Sequence, residues 1–117
     1  EALIELFTIW TAANAGLAAL GCLLARGHPF AVLTAALASP ITSLNPTLAA
    51  GWFAGYVQLR VVEPSAEDLT QFLKLERVGD FWRNKAGRVL LVTALSNLGS
   101  MLGAWVAAGA YAGWITL

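Results

Sequence analysis

Charge is what this sequence has least of. Only 12% of its 117 residues are Asp, Glu, Lys or Arg, against about 25% in an ordinary soluble domain. A soluble helical bundle is excluded on that ground, since its outer faces would have nothing charged to present to water. There is one cysteine, Cys22, so no disulfide can form within the chain and no cysteine-based zinc site exists. There is one histidine, His28, so no histidine pair can hold a metal, and no HExxH occurs. No serine stands in a recognisable arrangement with His and Asp, and no glycine-rich phosphate loop follows a strand. The net charge of zero gives nucleic acid no reason to bind. Catalytic residues, cofactor ligands and metal ligands are therefore all absent from the reading of this chain. The first residue is Glu1, with no basic segment before the apolar run, so a secretory signal peptide is not indicated.

What is present is apolar length. The sequence is 58% hydrophobic with a mean hydropathy of +0.68. Twenty uncharged residues separate Glu5 from Arg26, and 29 follow Arg88 to the end. About 20 predominantly apolar residues cross a hydrocarbon core. The expected class is an all-α integral membrane protein: one domain, built as a small bundle of three or four transmembrane or half-membrane helices. The first helix is expected over about 3–26 and the last over about 84–110.

The middle run, residues 29–59, is too long for one span and too short for two. Pro40 and Pro46 resolve the mismatch, because each removes a backbone donor and disfavours helix just before it. One proline-broken helix is expected: a half at 29–39, a link at 40–45, and a second half at 46–61. His28-Pro29 and Asn45-Pro46 each read as an N-cap followed by proline at the first helical position. Exposed backbone cannot face lipid, so the link needs protein cover or a wet cavity. Thr42, Ser43, Asn45 and Thr47 can supply hydrogen bonds there. Two readings stand: local repair of a broken helix, or a polar site at membrane depth such as a channel or transporter module would use. Asn14, Ser96 and Asn97 are further polar candidates inside the spans, as glue between helices or as part of a pathway.

Residues 66–78 form an expected amphipathic helix on the membrane surface, opened by Ser65 with Asp68 three residues on. His28, Trp82, Arg83, Lys85 and Arg88 are expected at headgroup level. Three GxxxG pairs occur: Gly51/Gly55, Gly99/Gly103 and Gly109/Gly113. The first two are the expected packing faces, within the chain or against a second copy, with a homodimer as the first expectation. Six of the seven cations fall between Arg60 and Arg88, which predicts that the 62–88 connection is cytoplasmic. Whether 29–59 crosses or re-enters is left open by charge: six cations against one in the first case, seven against none in the second.

Three segments, "HPFAVLTAALASPITSLNPTLAAGWFAGYVQ", "EPSAEDL" and "FWRNKAGRVLLVTALSNLGSMLG", together resemble the C-terminal membrane domain of the TraB family, the pheromone-shutdown proteins of bacteria and archaea. The resemblance covers about residues 26–104. It implies a multi-pass protein of a prokaryotic plasma membrane, with the lipid bilayer as its surroundings and an N-terminal domain elsewhere in the protein. That domain is similar to Tiki-type metalloproteases, and none of its His and Glu motifs is in this sequence. The resemblance therefore implies no enzyme activity for this chain. For the whole protein it implies a role in lowering the activity of a secreted peptide pheromone.

Overall fold

The computed structural model describes the backbone of residues 2–44 and 49–116, and side chains within that range up to Gly113. All regular structure among them is helical: α1 (Ala2–Leu24), α2 (Pro29–Thr42), α3 (Ala50–Val61), α4 (Ala66–Phe72), a 3-10 turn (Val78–Trp82) and α5 (Lys85–Thr116). At 1.5 Å per residue α1 is about 35 Å long and α5 about 48 Å, in a molecule whose longest dimension is 55 Å. These two helices are long and apolar enough to cross a membrane.

α1 and α5 lie antiparallel and close. A Cβ at Gly21 would run into the carbonyl oxygen of Leu95, one at Gly99 into that of Leu17, and one at Gly103 into that of Ala13. On another side of α5 the same happens to α3: Gly51 meets the Thr93 carbonyl and Gly55 the Thr93 hydroxyl. Of the two alternatives, within the chain or against a second copy, the geometry at Gly51, Gly55, Gly99 and Gly103 is that of within-chain packing. All four glycines are spent on contacts within the chain. Nothing lies within 4 Å of a Cβ built at Gly109 or Gly113.

α2 and α3 form a helical hairpin. His28 before α2 donates its N–H to Oε1 of Gln58 near the end of α3, at 2.6 Å. The hairpin therefore starts and finishes at one end of the bundle, beside the end of α1 and the start of α5. Its tip lies level with Asn14 of α1, about 15 Å from Leu24 by helical rise. Both described ends of the 29–59 segment thus lie at the same end of the bundle. All seven Lys and Arg residues then belong to that loop end. The first residues of α1 and the last of α5 share the other end.

The interior is made of small residues, Ala18, Cys22, Ala25, Ala31, Ala35, Ala54 and Val92. Large apolar side chains such as Phe7, Leu24, Leu37, Ile41 and Trp105 are more than half exposed. A soluble protein places them the other way round.

Candidate functional site

The hairpin tip gathers the buried polar groups. The end of α2 should leave its last carbonyls unpaired. Pro40 does not end the helix, as its position suggested; α2 continues through it to Thr42. Its missing N–H leaves the Ala36 carbonyl, one turn back, without its helical donor. Its carbonyl accepts the indole N–H of Trp10 at 3.0 Å. The Ser39 carbonyl takes the Ser43 N–H, and Ile41 takes that of Leu44. Thr42 turns back to the Ser39 carbonyl at 3.4 Å.

A chain of side-chain bonds crosses the tip. Ser39 and Ser100 hydroxyls are 2.6 Å apart, Ser100 and Ser43 3.0 Å, and Ser43 donates to Asn14 Oδ1 at 2.6 Å. Asn14 Nδ2 donates to the Trp10 carbonyl at 2.9 Å, which fixes the amide's orientation. Oδ1 can only accept. Ser43 therefore spends its hydrogen on Asn14, Ser100 must donate to Ser43, and Ser39 to Ser100. Each hydroxyl in the chain has its proton committed. Asn14 and Ser39 are fully buried and Ser100 nearly so, where an unpaired group would cost about 1–3 kcal/mol.

α3 starts differently from expectation. Asn45 and Thr47, with Pro46 and Leu48, lie outside the described residues. The N-cap of α3 is Ala49, extended at φ −138° and ψ 132°, with no side-chain cap bond. The expected Asn45 cap therefore falls outside the described residues, and the described α3 begins at Ala50. The missing acceptor comes from α5: Asn97 Oδ1 accepts the Gly51 N–H at 2.6 Å. Ser96 is separate from this cluster. It is fully buried, with its hydroxyl against the Cys22 thiol.

The residues expected at headgroup level all lie at the loop end. His28 caps α2, its Nδ1 accepting the Phe30 N–H. The Trp82 indole donates to the Leu24 carbonyl at 2.7 Å, closing α1. Arg83 makes an exposed ion pair with Asp80 at 3.5 Å. Lys85 opens α5 and Arg88 lies on its first turn, the Arg88 N–H donating to the Asn84 carbonyl. α4 stops at Phe72, short of the expected residue 78, and the chain folds back so that Phe72 meets Phe81 edge-on. Ser65 and Asp68 form the capping box. The Ser65 N–H, and secondarily its hydroxyl, hold the Asp68 carboxyl below the usual carboxylate range.

Sequence reasoning missed Ser39 and Gln58. Gln58 is fully buried and ties α3 to α2. A signal existed: Gly51, Gly55 and Gln58 fall at i, i+4 and i+7 on one helix face. Ser39/Ser43 and Ser96/Ser100 are likewise i, i+4 pairs. Chemically, the described part of the tip consists of hydroxyls, amides and an indole, which hold helix ends.

A family described as "TraB family protein, C-terminal domain" matches residues 1–115. An uncharacterized protein of Methanocaldococcus jannaschii is 39% identical over 116 residues, 97% of this chain and 29% of that protein. The chain thus spans less than a third of that relative's length. No solved structure matches.

Proposed function

The chain belongs to the TraB family as its C-terminal domain, and on that premise we propose that it is a multi-pass membrane anchor that carries the rest of a longer protein on one membrane face. The observation that carries this reading is the segregation of charge. Every Lys and Arg sits at the loop end, while both terminal segments reach the other end. By the preference of Lys and Arg for the cytoplasm, α1 and α5 cross with both termini outside. The α2–α3 hairpin re-enters from inside. Large apolar side chains outside and small ones inside suit a bundle solvated by lipid, where close backbone packing holds helices together. The tip's spent hydrogen bonds supply what lipid could not.

The relative's greater length leaves room for a large portion upstream. With the termini outside, a Tiki-like domain there would share a compartment with a secreted peptide, as a pheromone-lowering role requires. A channel or transporter module is less well supported. It would need the tip's polar groups to face an open, wetted cavity, and they are committed to one another and to helix ends instead. Self-association is a separate proposal, and a dimer would have to use faces other than the four packed glycines. The test is alkaline extraction of membranes from expressing cells, combined with protease treatment of intact spheroplasts. The proposal expects the chain to stay in the pellet and an N-terminal epitope tag to be removed from outside. Release into the alkaline supernatant, or a protected tag, would contradict it.

A further inference from the structure

Below the hairpin tip, toward the terminal end, the bundle thins from four helices to two. There α1, the end of α2 and the far half of α5 enclose a groove of about 850 Å³. Its walls include Phe7 and Trp10 of α1, Leu37 and Pro40 of α2, and Ala108 and Tyr111 of α5. The volume falls in the range of about 300–1,000 Å³ typical of small-molecule sites. The lining is almost wholly apolar. Along α1 it runs from Leu6 to Ala15, a helical rise of about 14 Å. Half of a hydrocarbon core about 30 Å thick is about 15 Å. The groove is therefore as long as one leaflet is deep. Its floor is the hairpin tip, pinned by the Trp10–Pro40 bond.

We propose that this groove seats an acyl chain of a lipid from the terminal-side leaflet. The proposal rests on the membrane reading above, and on the match in length, depth and wall chemistry.

The experiment reconstitutes the chain in vesicles containing phosphatidylcholine with a diazirine near the middle of one acyl chain. Labelled positions are then mapped by mass spectrometry. Label should concentrate on Phe7, Trp10 and Leu37. Ala36→Trp fills the groove from the α2 wall, and Ala108→Trp fills it from α5. Each should cut the label several-fold, while Leu33→Trp on the exposed face of α2 should not. Two filling variants guard against one that fails to fold. Even labelling around the bundle would overturn the proposal. So would chain-to-chain crosslinks at these positions, which would assign the groove to a second copy. If alkaline wash strips the chain from the vesicles, the membrane reading itself fails; if the chain stays inserted and labels evenly, only the groove proposal does.

Discussion

The loop half and the terminal half of this bundle solve different problems with the same two long helices. In the loop half, four helices meet, and glycine is used wherever backbones touch. Polar side chains there close the helix ends that a hairpin must expose. In the terminal half α1 and α5 continue without the hairpin, Gly109 meets open space, and an apolar groove replaces the packed core. The difference teaches that glycine and polar content follow where backbones and helix ends press together: Gly21, Gly99 and Gly103 each meet the backbone of one neighbouring helix, and Gly109 meets none.

Substitution should separate the halves. Gly99→Ala places a methyl group against the Leu17 carbonyl, and overpacking of this kind costs about 1–3 kcal/mol. Gly109→Ala meets nothing, and should be neutral or stabilising by up to about 1 kcal/mol, because alanine favours helix. Thermal unfolding of the two variants in one detergent checks the pair. Equal destabilisation would erase the distinction between the halves.

At the tip, Asn14→Leu strands the Ser43 hydroxyl and undoes the directed chain. A loss of about 1–3 kcal/mol is expected. Ser43→Ala in the same background should then cost little more, since its partner is already gone. A double-mutant cycle on unfolding free energies reads this coupling. Additive losses would mean the chain is not a unit.

A smaller effect of opposite sign is expected at the loop end. Arg26 sits at φ 57° in the left-handed turn that closes α1. Its N–H bonds Leu23, and the Gly27 N–H bonds Cys22. This is the position where helices favour glycine. Arg26→Gly should stabilise the fold by up to about 1 kcal/mol, measured in the same unfolding assay.

The smallest effect concerns α4. The Asp68 carboxyl is depressed by its bonds from Ser65, so its contribution is full above the ordinary carboxylate range. It is lost as pH falls through the lower, folded-state value. Amide exchange at Asp68, whose N–H donates to the Ser65 hydroxyl, should become faster relative to neighbouring loops in that acid window. Asp68→Asn should remove the pH dependence.

Much of this was legible in the sequence, for stated reasons. Uncharged runs of the right length marked α1 and α5, and the length of 29–59 with its prolines marked a broken helix. The capping box at Ser65 was visible because both partners lie within one turn. The rest was hidden because it depends on which helix faces which. The Asn97 cap on α3 joins residues 46 apart, and Gln58 answers an N–H thirty residues away. GxxxG spacing reports that backbones approach, and leaves open whose backbone. Pro40 misled as a stop because its cost depends on where the helix ends, which the Trp10 indole helps to set.

The central claim is that cations and termini lie on opposite membrane faces, with the hairpin returning to the cation side. It is tested most directly by cysteine labelling in a Cys22→Ala background of intact cells. Single cysteines at Leu3 and at Gln71 are offered an impermeant maleimide from outside. The account predicts that Leu3→Cys reacts in intact cells and that Gln71→Cys reacts only after the membrane is opened. Reaction of Gln71→Cys in intact cells, or protection of Leu3→Cys, would contradict it.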